Sequence, residues 1–193
     1  MGSTTTAKLD ELARGILGSK LLFESGFEYL RGVFHRELPT GVRHLIVLDL
    51  NRSKGTFVII VGVNSKVLSG DLPPDQAGAY HSCYVSRGGI TRTPAGFAAK
   101  NVELTAESLE RAVTACRQYA LPWLHDYTTL SAFADALPET CDLFKGRLLL
   151  AHGAPERAKP WLLHYRERLR AMPPSPDVTE AERDTDVLLK RCE

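Results

Sequence analysis

At 193 residues, with 44% hydrophobic and 24% charged residues, the chain has ordinary globular composition, which excludes a disordered or fibrous protein. A formal net charge of +1 removes the main electrostatic argument for general nucleic-acid binding, which needs a clear excess of Lys and Arg. No uninterrupted apolar run reaches the roughly 18 residues of a membrane span, and no apolar N-terminal region marks the chain for export, so a cytoplasmic protein with Cys83, Cys116, Cys141 and Cys192 reduced is expected.

Met1-Gly2-Ser3-Thr4-Thr5-Thr6 fits the permissive myristoylation pattern, for which a short polar leader is the simpler reading. Leu9, Leu12, Ala13, Ile16 and Leu17 then recur at helical spacing, predicting an amphipathic helix over residues 7–24 that Gly26 ends. Gly15 and Gly18 weaken it, each by about 1 kcal/mol relative to Ala, so it must dock on something apolar.

Three β-rich runs follow, at 33–38, 42–50 and 57–64, separated by turn-like residues 39–41 and 51–55. Short links favour antiparallel pairing, hence a meander. In the third run Phe57, Ile59, Val61 and Val63 alternate with Val58 and Ile60, which predicts a central strand covered on both faces. From 65 to 100 periodicity fails, apart from a β-like piece at 80–86. A stretch this long without strong structure is a candidate binding surface.

Beyond it the pattern turns helical. Thr105 can cap a helix carrying Leu109, Ala112, Val113, Cys116 and Ala120 on one face, ending at Leu121-Pro122, with an angled continuation over 123–127. Short helices are expected around Leu130–Leu137 and over 143–151. Trp161, Leu162, Tyr165, Leu169 and Met172 form an apolar stripe, stopped by Pro173-Pro174-Ser175-Pro176, and 177–192 supplies a last helix. The expected fold is α+β, an antiparallel β-meander packed against an N-terminal helix and a C-terminal helical region. Residues 1–172 form one domain with a long 65–100 loop, and 173–193 a Pro-rich linker and C-terminal helix.

The phosphate-loop, dinucleotide, zinc-protease and hydrolase motifs are absent as contiguous sequence. His81 and Cys83, two apart, would share one face of a strand as a thiol pair or half a metal site, but further ligands are not signposted, so no metal or cofactor is assigned. A packed thiol beside an exposed imidazole is the simpler alternative. Arg87-Gly88-Gly89 and Arg92 can grip an acidic partner through guanidinium forks, with a solvated loop as the alternative. Between residues 145 and 172 seven Lys/Arg stand against two Asp/Glu, and between 173 and 193 three against six, so two helices that attract each other are the simplest reading. The basic helix facing nucleic acid is the rival one.

Ser25-Gly26-Phe27, Phe34-His35-Arg36, Leu50-Asn51-Arg52-Ser53, Thr56-Phe57-Val58 and Val61-Gly62-Val63, with Leu121-Pro122-Trp123-Leu124, together resemble the bacterial domain-of-unknown-function family 4304. The resemblance covers residues 8–64 and 105–137 and consists of fold-forming positions. It implies a helix leading through a Gly-Phe corner into a meander and then helices, and an association with toxin and immunity genes, with no catalytic residues to carry over. The expected function is therefore a non-enzymatic, cytosolic protein-binding protein, an immunity protein that neutralises a cognate toxin, with Arg87, Arg92 and then Arg52 as partner-binding residues. The alternatives are a small enzyme with a pocket between sheet and helices, collecting His81, Cys83 or His44, and a nucleic-acid-associated protein.

Overall fold

The computed structural model describes residues 11–51, 56–86, 89–92 and 105–193. Six strands, β1 (Glu28–Leu30), β2 (Val33–Glu37), β3 (Val42–Asn51), β4 (Thr56–Ser65), β5 (His81–Ser86) and β6 (Gly89–Thr91), pair in chain order, each antiparallel to the next. The helices are α1 (Arg14–Leu22), α2 (Lys66–Ser69), α3 (Pro74–Ala77), α4 (Ala106–Ala115), α5 (Leu121–His125), α6 (Leu130–Ala136), α7 (Asp142–Ala151), α8 (Pro155–Arg170) and α9 (Pro176–Lys190). The protein is α+β, a meander packed against an N-terminal helix and a helical C-terminal region.

Period-two alternation decides which side of the sheet is dry. Phe34, Ile46, Leu48, Phe57, Ile59, Val61, Val63, Cys83 and Val85 face the helices and are buried with Leu17, Leu109, Leu124, Phe133 and Leu148 in one cluster. On the opposite face Val47, Val58, Ile60 and Tyr84 are only half-buried. Cover on both faces of β4 is thus complete on one side only, although β4 is central, lying between β3 and β5. At the far end of that second face the segment after α2 folds back: Arg43 donates to the Leu72 carbonyl at 3.1 Å, and Asn64 to the carbonyls of Ala77 at 3.2 Å and Gly78 at 2.6 Å. A Cβ on Gly62 would lie 2.5 Å from the Ala79 Cβ, so glycine is what lets this segment close on the sheet.

The described part of 65–100 is therefore not the long unstructured loop expected. Besides β5, which is the β-like piece expected at 80–86, it holds α2, α3 and β6. The helices have four residues each, too few to print a period, and β5 pairs antiparallel with β4, with Cys83 and Val85 buried.

Helix α1 is wound as a π-helix, the Phe23 N–H bonding the Gly18 carbonyl at 2.9 Å. A Cβ on Gly18 would lie 2.6 Å from the Phe23 ring, so this glycine seats an aromatic. Gly26, at φ 79°, ends the segment: its N–H bonds the Phe23 carbonyl while the Phe27 N–H bonds the Leu22 carbonyl, the paired bonds of a Schellman motif. Leu9, the first residue of the predicted stripe, lies outside the described residues. Caps fall where side-chain oxygens allow: Thr105 accepts from Ser108 N–H, Thr129 from Ala132 N–H and Ser175 from Val178 N–H.

Pro122 does not end the fourth helix, contrary to the expectation. Residues Cys116–Ala120 widen into a π-helical segment in which the Leu121 N–H reaches back to the Cys116 carbonyl, and the helix continues into α5. The wider turn accommodates the bond that proline cannot donate and the carbonyl its ring would strike.

Candidate functional site

Because His81 pairs with Val63 and Cys83 with Val61, both side chains of β5 point to the helix side of the sheet, as their spacing predicts. There they meet the helix emerging from the π-segment. Trp123 and Tyr127, four residues apart, share one face and touch edge to face, with ring centroids 4.6 Å apart. The His81 ring stacks on Trp123 at 5.3 Å and meets Tyr127 edge-on at 5.2 Å. Ile90, Thr91 and Arg92 from β6 and beyond, with Asp135 and Ala136 of α6, complete a pocket of about 400 Å³.

A buried histidine outside the pocket fixes its aromatic wall. The Arg36 guanidinium, always a donor, lies 3.0 Å from His44 Nδ1, so that nitrogen accepts and Nε2–H donates to the Tyr127 carbonyl at 2.9 Å. Burial, with Arg36 nearby, pushes the His44 pKa down from 6.5 to about 4, which keeps the ring neutral at physiological pH. His44 is thus a structural tie between β3 and the end of α5. It is not part of a cleft with His81 and Cys83.

Electrostatically the pocket is quiet but for its rim. Burial lowers the His81 pKa and the Arg92 charge lowers it further. Burial raises the Cys83 pKa, only partly opposed by Arg92. Burial raises the Tyr127 pKa too, with Asp126 and Cys83 adding to the rise. At neutral pH the pocket therefore presents a thiol, a phenol and a neutral imidazole around one exposed guanidinium. Asp135 at the rim is neutralised by Arg157 at 2.7 Å.

Arg92 sits where a partner residue is useful, beside the rings. Arg52 and Arg87 lie outside the described residues. The basic surface of α8 is spent internally: Arg166 pairs with Asp186 at 3.1 Å, Arg168 with Asp142 at 2.8 Å and Arg170 with Glu182 at 2.8 Å. Two of these pairs join α8 to α9, the mutual attraction expected from their opposite charge. They leave the nucleic-acid reading little free charge to use.

Trp123, Tyr127 and Asp135 were not anticipated as site residues. The signal that could have found them is the i, i+4 aromatic pair just after a helical proline. Among the described residues, no group of three His, Cys, Asp or Glu side chains could hold a metal ion, and no helix is long and apolar enough to cross a membrane. Comparison of the chain with models of protein families, with curated proteins and with solved structures finds no match.

Proposed function

We propose that the protein is a non-enzymatic binding protein that holds a protein partner through the pocket at the β5–β6 end of the sheet, with Arg92 as the charged anchor. One observation carries this reading: an exposed guanidinium with no ion pair among the described residues stands at the mouth of an aromatic pocket that has no activated nucleophile. Trp, Tyr and Arg are the side chains that most often dominate binding energy at protein interfaces, because rings bury area at low entropic cost and a guanidinium fork bonds carboxylates in pairs. The resemblance to family 4304 suggests a cognate bacterial toxin as that partner, which makes the protein a cytoplasmic immunity protein acting by direct occlusion. Arg52 and Arg87 are further anchors on the strength of the sequence alone.

The test is growth of cells expressing the product of the gene immediately upstream, with and without this protein, followed by co-purification. Rescue together with co-purification, both lost in Arg92→Glu, is the expected result. A harmless neighbour, or rescue indifferent to Arg92→Glu, counts against it.

A small enzyme is the second reading, favoured by His81 and Cys83 lining one pocket. Its difficulty is protonation: a thiol pushed up in pKa beside an imidazole pushed down is the reverse of an activated pair. Alkylation of Cys83 with iodoacetamide decides between them. A reactive thiolate at pH 6 would favour the enzyme; inertness until alkaline pH favours the binding protein.

A further inference from the structure

We infer that the pocket between β5, β6, α5 and α6 is a binding site for a carboxylate carried on a small flat apolar group. The inference deepens the binding reading, on which it rests, by naming what enters the site.

The charge count comes first. Arg92 contributes one positive charge to the pocket, while Asp135 is cancelled by Arg157 at 2.7 Å. A monoanion is matched by that balance. A phosphate dianion brings a second negative charge towards Asp135 with no second cation to meet it.

The second count is of donors. Among the described residues, the one N–H of the neutral His81 ring, the Trp123 indole N–H, the Tyr127 hydroxyl and the Arg92 guanidinium have no hydrogen-bond acceptor. All four residues line the same pocket. Such a set complements a ligand made of acceptors, and a carboxylate offers about four lone-pair sites with no proton of its own.

Shape sets the rest of the ligand. His81 and Trp123 lie nearly parallel at 5.3 Å, and Tyr127 closes on both. The three rings fill one another's faces and leave no slot for a sandwiched ring. They form a wall rather than a cage, which excludes a quaternary ammonium held on several ring faces. Cys83, Ile90 and Ala136 add an apolar strip to a lining that is otherwise polar, and the flat body of the ligand lies along that strip and the wall of rings. A volume of about 400 Å³ falls in the range of small-ligand sites. The carboxylate can belong to a free aromatic acid or to a side chain or terminus that a partner inserts.

Titration calorimetry of the full chain with sodium benzoate, benzamide and inorganic phosphate tests the inference. Saturable millimolar binding of benzoate is expected, with neither benzamide nor phosphate matching it. Arg92→Gln is expected to weaken benzoate on the order of tenfold with an unchanged melting temperature, and Tyr127→Phe to weaken it less. Absence of saturable benzoate binding, equal binding of benzamide, tighter binding of phosphate, or an Arg92→Gln protein that binds benzoate as well as the parent would each overturn it.

Two further outcomes identify the carrier. Benzoate that displaces a co-purifying partner assigns the carboxylate to that partner; benzoate that binds without displacing it assigns a free acid. Co-purification and rescue without benzoate binding would sink this inference and leave the binding reading standing. Benzoate binding without any partner would do the opposite.

Discussion

The α8–α9 pair and the β5–β6 pocket use the same kinds of residue for opposite ends. Along α8, Arg166, Arg168 and Arg170 each meet a carboxylate, and Lys145 of α7 lies 4.3 Å from the centroid of the Trp161 ring. Around the pocket, Arg92 and three donor-bearing rings meet no acceptor among the described residues. Buried polar groups are ordinarily satisfied within the protein or by ordered water, whereas the donors of this pocket stand open to solvent and to a ligand's acceptors. A cluster that is left unsatisfied, on a rigid wall, is therefore informative about recognition, whereas a dense run of arginines is not.

The largest expected effect lies at the tie that holds the wall. His44→Ala removes the donor to the Tyr127 carbonyl and the acceptor of Arg36 and opens a cavity, and is expected to cost about 3 kcal/mol at neutral pH by urea denaturation. The same residue sets a pH dependence. Its folded pKa of about 4 lies below the ordinary 6.5, so the unfolded chain takes up the proton first. The stabilisation is full above pH 6.5, falls as pH drops towards 4, and amounts to about 3 kcal/mol. A His44→Gln protein should show a flatter stability profile across that window.

Next in size is Gly146→Ala. A Cβ there would lie 2.5 Å from Leu162 Cδ2 and 2.6 Å from its Cγ, between α7 and α8, and Leu162 is fully buried. Overpacking should outweigh the gain in helix propensity of about 1 kcal/mol, leaving a net loss of about 1–2 kcal/mol. Stabilisation instead would mean that the α7–α8 contact yields freely.

The smallest effects sharpen the contrast directly. Arg166→Gln, which breaks the half-exposed pair to Asp186, should lower stability by about 0.5 kcal/mol. Arg92→Gln should leave stability unchanged within about 0.5 kcal/mol while weakening benzoate binding on the order of tenfold. If Arg92 proved the more stabilising of the two, it would be a structural residue and the contrast would collapse.

Much of the fold was legible because it rests on local pattern. Phe57 to Val63 alternate cleanly and form β4; Thr105 and Gly26 stand at a cap and a stop whose chemistry is local. What stayed hidden depends on partners distant in sequence. β1 and β6 are three residues each and α2 and α3 four each, whereas β5 falls on the β-like piece expected at 80–86. The site was half legible: the two-residue spacing of His81 and Cys83 placed them on one face, and Arg92 was singled out. That face is completed by Trp123 and Tyr127, forty residues further along the chain, and no short-range pattern links the two.

The wide turn at Cys116–Ala120 also stores one residue more than the helix needs to keep its facing. A π-turn holds one residue more than an α-turn, so deleting a single residue such as Gln118 would let the helix rewind as regular α with the segments on either side facing nearly as before. Trp123 and Tyr127 would then stay on the side of the His81 imidazole, while Pro122 would strike the carbonyl behind it. The extra residue thus serves the proline rather than the facing of the helix, and its deletion is tolerable where Pro122 is replaced as well.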